Sequence, residues 1–364
     1  GIVVDSSGKL YVADDGSAEE VVDAVTVYPP NSPVPSETIG LDTALEAPTG
    51  IALDLNGNIY VANEGSFFGG LDSINIYSPG TYANAPISAA IAGSNTGLAQ
   101  PSGIAENPNG SLYVANSVGG PDGVGSVTVY PAGSSGNATP TATISGNSSG
   151  DNTGFGNPTG VAFDALGNLY VANPYGGPDG WGSVTIYPPG SNGNVTPTAT
   201  ISDDPNCAPC DNTGLSTPYG VAVDFSGNIY VVNSDGGPDT MGSVTIYPPL
   251  GTSTGVLNES PSAAIQGISL TDDITGFIYP GGIAVDSKAN IYVTNPGSLT
   301  GAADSIYVYP AGSNGNVAPS ATITGSSTGL GMPQGIAITW NAGYMGGSSP
   351  AYAHKPPKPE KQRR

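Results

Sequence analysis

Six oxygen-bearing side chains recur at one place in a repeat: Asp14, Asn63, Asn116, Asn173, Asn233 and Asn295 each end a run whose type is Leu-Tyr-Val-Ala-Asn. A second carboxylate stands before the next apolar run in every copy, at Asp23, Asp72, Asp122, Asp179, Asp239 and Asp304. Hard oxygen donors with no His or Cys among them suit calcium, which takes six to eight oxygens. The same residue types also bond loop amides, so a purely structural ring is the competing reading. Phe67, Phe68, Tyr175, Trp181 and Met241 lie in the same segments. Aromatics on a polar face could stack on sugar rings or anchor a protein partner, or fold back over their own loops.

Other chemistries lack their parts. The one histidine, His354, is near the C-terminus, which excludes a Ser-His-Asp set and any histidine-bound metal in the body of the chain. Cys207 and Cys210 form an isolated C-x-x-C. Zinc needs two more ligands and a redox pair needs a thioredoxin-like context, which leaves a local disulfide in a surface loop as the expectation.

The positioning elements are strands. A Pro opens each unit at 48, 101, 158, 218, 280 and 333, a spacing of 53 to 62 residues, and Gly1 aligns with the glycine that follows Pro48 by two. Within a unit, four short runs alternate apolar and polar residues between Gly, Pro, Asn and Asp, and none has helical period. In the fourth unit these are 160–164, 168–173, 183–187 and 196–201. Asp5, Asp54, Asp164, Asp224 and Asp286, with Asn107 in the third unit, head tight turns that mostly end in Gly. They read as turn caps and not as catalytic acids. Four antiparallel strands per repeat predict an all-β propeller, each blade covering its neighbour. The tyrosine of each third strand (Tyr28, Tyr77, Tyr130, Tyr187, Tyr247, Tyr309) is expected to pack between blades with its hydroxyl at the rim.

Units of the form P-x-G-[IV]-A-[VLF]-D-x-x-G-N-[IL]-Y-V-A-N resemble the NHL-repeat β-propellers over residues 1 to about 340, in their secreted bacterial type. The resemblance implies the fold. It leaves open lyases, calcium-dependent lactonase-like hydrolases, sensors and binding scaffolds. A lactonase-like site would need only Glu, Asn and Asp around calcium, and Glu19, Glu20 and Glu64 are near the right loops. No single blade stands out as carrying a base. Six blades are expected; the alternative is seven with an incomplete last blade, because 333–339 begins another first strand.

Charge narrows the partners. Acidic residues number 29 against 7 Lys and Arg, and of the basic ones only Lys9 and Lys288 precede position 355. Such a field repels phosphate backbones and excludes nucleic-acid binding through the propeller. No apolar run approaches the roughly 20 residues of a membrane span. A charge-poor surface rich in Gly, Ser, Thr and Asn is common in secreted and cell-surface bacterial proteins, and that location is the expectation; a first residue other than Met suggests either a processed N-terminus or an artificial boundary. The chain divides into a propeller, 1–348, and a basic Pro-rich tail, 349–364. A cationic tail on an anionic body suits self-assembly through 333–364. The expectation is a non-catalytic extracellular binding or structural scaffold, with a calcium-dependent lactonase-like hydrolase as the alternative.

Overall fold

The computed structural model describes residues 1–333 apart from 17–22, 31, 41–44, 66–69, 82–85, 148, 179, 204–211, 270 and 298–302. Phe67, Phe68, Asp179, Glu19, Glu20, Cys207, Cys210 and the segment 334–364 lie outside the described residues.

Alternation becomes six antiparallel sheets. In the fourth blade the strands are Gly160–Phe163, Leu169–Asn173, Ser183–Tyr187 and Ala199–Ile201. The observed bounds fall one to three residues inside the expected ones at some ends. Inner strands pack side by side around an axis, Ile2–Val4 against both Pro48–Leu53 and Ile283–Val285, so the ring closes at six blades. The seven-bladed alternative is thereby excluded, since the slot next to the sixth inner strand is filled by the first. Pro333 bridges Asp14 at that seam.

Closure around a narrow axis depends on glycine. A Cβ on Gly50 would stand 2.5 Å from the Ser102 carbonyl oxygen, and one on Gly1 would stand 2.7 Å from the Ile51 nitrogen. Hydroxyls beside these glycines tie neighbouring inner strands: Thr49 donates to the Pro101 carbonyl (2.6 Å), Ser102 to Pro158 (3.0 Å) and Thr159 to Tyr219 (2.7 Å).

The expected turns form as read. Asp54 Oδ1 accepts the amides of Asn56 and Asn58, and Asn107 Oδ1 those of Asn109 and Ser111. In the sixth blade, Ala289 takes the left-handed conformation (φ 60°) that Gly supplies in the other copies.

Two features correct the sequence reading. Blade 4 has a fifth strand, because Gly255–Leu257 from the blade 5 connection pairs parallel with Ala199–Ile201. Shorter versions of this contact occur where Gly136, Gly193 and Gly315 bridge Ile91, Ile144 and Ile265, so the third-to-fourth connection of one blade covers the outer edge of the blade before it. An edge strand left with unpaired amides is a template for unwanted pairing, and this cover removes it. The third-strand tyrosines pack between blades, but their hydroxyls do not reach the rim. Tyr28, Tyr130, Tyr187, Tyr247 and Tyr309 donate to the carbonyls of Thr328, Thr96, Thr153, Thr213 and Thr275 in the linker that precedes each blade. A buried phenol needs such an acceptor, and the recurring Thr-Gly of the linker supplies it.

Candidate functional site

Second-to-third loops and inter-blade linkers meet on one face of the ring. Asp14, Asn63, Asn116, Asn173, Asn233 and Asn295 all lie there, nearly inaccessible. Asn116 shows how they are used: its Oδ1 accepts the Ala99 amide (3.0 Å), and its Nδ2 donates to the Val114 carbonyl, Ser126 Oγ and Thr128 Oγ1. Asn233 and Asn295 accept from Ser216 and Ile278 in the same way, and Asn63 accepts from Glu46 at 3.5 Å. Asn173 Oδ1 is buried without a partner.

Asp14 stands at the seam, where both its oxygens accept the Gly331 amide at 2.7 and 2.8 Å. Burial pushes its carboxyl up to about 8. A carboxylate has no N–H to give, and Thr26 Oγ1, which matches Thr128, is buried without a partner.

The second set of carboxylates divides into two kinds. Asp23 and Asp72, nine residues after the ring position, accept the amides of Ala47 (3.0 Å) and Gln100 (2.9 Å). Each of these donors precedes the opening Pro and has positive φ, as do Asn157, Thr217, Tyr279 and Met332 (φ 46° to 56° across the six). In blades 3 to 5 the Asp comes six residues after the ring position, and backbone does the capping: Asn157, Thr217 and Tyr279 donate to the carbonyls of Val124, Trp181 and Met241. Asp122 and Asp239 are left for another purpose.

Just past the ring residues, blades 1 and 2 depart from their siblings. Asp15 and Glu64 follow the ring residue where the other blades have Ser117, Pro174, Ser234 and Pro296. Burial, with Asp23 nearby, pushes the Asp15 carboxyl up to about 6. Burial, Asp72 and Asp15 raise Glu64 as well. Tyr219, in blade 5 across the ring, is raised to about 12 by burial and by the charge of Glu64. The charges of Asp15 and Glu64 thus reach one another, and that of Glu64 reaches Tyr219.

Of the expected ligand-face aromatics, Tyr175 and Trp181 are described, and they are 67 % and 73 % exposed. Tyr175 borders a shallow hollow of about 370 Å³ with Asp151, Phe155, Pro178, Pro197 and Val256. Among the described residues no group of three or more His, Cys, Asp and Glu is arranged to hold a metal ion, and no helix is long and apolar enough to cross a membrane.

No protein-family model and no curated protein matches the chain. Solved structures do match. A protein of unknown function from Bacteroides caccae is 12 % identical, with a TM-score of 0.55 over 90 % of this chain and 97 % of that one. The PQQ-bound aldose sugar dehydrogenase of Streptomyces coelicolor is 16 % identical, with a TM-score of 0.55 over 85 % and 92 %. A gluconolactonase from Xanthomonas campestris is 14 % identical over 81 % and 82 %, at a TM-score of 0.49. At such identities the likeness is one of fold, and the chain is a six-bladed β-propeller.

Proposed function

We propose that this propeller is a non-catalytic extracellular binding or structural scaffold of the NHL-repeat type, engaging its partner through the loop-rich face. The observation that carries this reading is how the polar side chains of that face are used. All but one of the six ring residues have their acceptor oxygen bonded to a linker amide, whereas Tyr175 and Trp181 keep most of their surface exposed. Exposed aromatics on a charge-poor surface fit a carbohydrate or a protein partner. Assembly with copies of itself through 333–364 belongs to the same reading. Binding of the full chain to immobilised glycans and to itself, compared with Tyr175→Ala and Trp181→Ala, tests it. The expected result is a loss of at least about tenfold with folding intact, since a hot-spot aromatic carries on the order of 2 kcal/mol. Unchanged binding would remove the aromatics from the account, and light scattering on a chain ending before Pro333 decides the assembly.

A second reading, a calcium-dependent lactonase-like hydrolase, is favoured by the raised carboxyls of Asp15 and Glu64, the second raised in part by the charge of the first. Raised carboxyls are a common arrangement for proton transfer. Lactone hydrolysis that disappears in Asp15→Asn and Glu64→Gln would establish it in place of the scaffold.

A further inference from the structure

Blades 3 and 5 repeat an arrangement that involves neither the ring residues nor Asp15 and Glu64. Asp122 Oδ1 accepts the Val124 amide (3.4 Å), and Asp239 Oδ1 accepts the Met241 amide (3.2 Å). The other oxygen of each, Oδ2, is buried and has no hydrogen-bond partner. Asp239 is only 3 % exposed. Each Oδ2 occupies the space that a Cβ would take on the glycine just past the outer strand, Gly146 in blade 3 and Gly267 in blade 5. Either glycine, given a side chain, would displace the carboxylate.

A second acid closes on the same point. Asp151 Oδ1 lies 2.9 Å from the Gly146 Cβ position, and Asp273 Cγ lies 2.9 Å from that of Gly267. These partners are held in place, since Asp151 Oδ1 accepts the amide and hydroxyl of Thr153 and Asp273 Oδ1 those of Thr275. Two carboxyls therefore share each pocket. No Lys, Arg or His occurs between Lys9 and Lys288, so no basic side chain of these blades can neutralise them. An anionic oxygen withdrawn from water beside a second anion is unfavourable unless a cation joins it.

We infer that the Asp122–Asp151 and Asp239–Asp273 pairs are two equivalent divalent-cation sites, selective for calcium, that fasten the second-to-third loop to the inter-blade linker. All the side-chain donors are hard oxygens, and the surrounding loop carbonyls and water can complete a coordination number that calcium tolerates and magnesium does not readily adopt. Two carboxylates bring net charge −2 to each site, matching one divalent ion. The same relation in two separately encoded blades marks a built feature. The corresponding Asp179 of blade 4 lies outside the described residues. This inference is independent of the partner proposed above, because it concerns how the face is held and not what it meets.

The test is calorimetric titration of the chelator-stripped full chain with calcium chloride and, separately, magnesium chloride, alongside thermal melting. Calcium is expected to bind at a stoichiometry that falls by one in Asp239→Asn and by two in the Asp122→Asn, Asp239→Asn double variant, and to raise the melting temperature of the unmodified protein. In chelator the double variant should melt no lower than the parent, which separates a lost ligand from a damaged fold. Absence of calcium heat up to millimolar concentration, or a calcium response that survives in the double variant, overturns the proposal.

Discussion

Blades 1 and 2 hold the amide of the residue before the opening Pro with a carboxylate, Asp23 or Asp72, whereas blades 3 to 5 hold it with a backbone carbonyl. The position that carries Asp in the first pair is glycine in the other three, Gly125, Gly182 and Gly242, each in a left-handed conformation and packed against the next Pro. Repeats that look equivalent have thus exchanged a side-chain bond for a main-chain one. Where the backbone does the holding, an acid three residues earlier is released for other chemistry.

The sharpest way to break this comparison is to put a side chain where the second group has none. A Cβ on Gly242 would meet Pro280 Cγ at 2.6 Å with φ at 121°. Gly242→Ala should therefore cost roughly 2 to 4 kcal/mol from overpacking and backbone strain. Denaturant unfolding measures it, and a cost under 1 kcal/mol would mean that the blade 5 loop does not need its glycine.

In blade 2 the same position already carries a side chain, so Asp72→Ala should lose the cap on Gln100 without overpacking, about 1 to 3 kcal/mol for a partly buried amide left unpaired. Asp239→Asn, measured in chelator, should lose nothing. Equal losses in the two variants would erase the distinction between the groups.

Asp14 sharpens the seam, because it is the ring position that is not Asn. Its folded carboxyl is raised to about 8 by burial, above the usual unfolded value near 3.9. The native state then holds a proton that the unfolded chain has released, so this contribution to stability is full below about pH 4 and is lost as pH rises to about 8. Asn at this position has an N–H to offer Thr26 Oγ1. Asp14→Asn should therefore stabilise at pH 8 by roughly 2 kcal/mol and by much less at pH 5. Melting curves at the two pH values check the sign, and an unchanged pH dependence would show that Asp14 does not titrate in this range.

The smallest effect lies on the opposite face. Ala289→Gly removes a left-handed alanine from the sixth blade turn and should stabilise by about 0.5 to 1 kcal/mol, whereas Gly227→Ala, at the same turn in blade 5, should do the reverse. Thermal melting of the two variants tests whether the sixth turn is strained or has adapted.

The repeat made the strands, turns and blade count legible, because period-two alternation and Asp–Gly turns depend on nearest neighbours in the chain. Tyr130 was legible as a packing residue, but its acceptor Thr96 was not, because the two meet only when the linker folds across the following blade. The split among the acids was present in the spacing, since Asp72 comes nine residues after Asn63 and Asp122 six after Asn116. Its meaning required knowing which amide each one faces. Asp151 and Asp273 gave no local cue: they sit in linkers of unequal length and look like turn acids until Gly146 and Gly267 bring the second-to-third loop beside them.

The cover that the third-to-fourth connections of blades 3 to 6 lay over the preceding blade gives the ring a direction, like tiles overlapping one way around a roof. Gly136, Gly193, Gly255–Leu257 and Gly315 shield the edges of blades 2, 3, 4 and 5. The outer strand of blade 6 has Ala321, Thr322 and Thr324 exposed. Lengthening such a chain is therefore not a matter of copying a blade alone. A copy placed between existing blades arrives with its own tile and receives one from its successor, whereas a copy appended at the end covers its neighbour and leaves a fresh edge open. Growth from within is the route that keeps every interior edge closed.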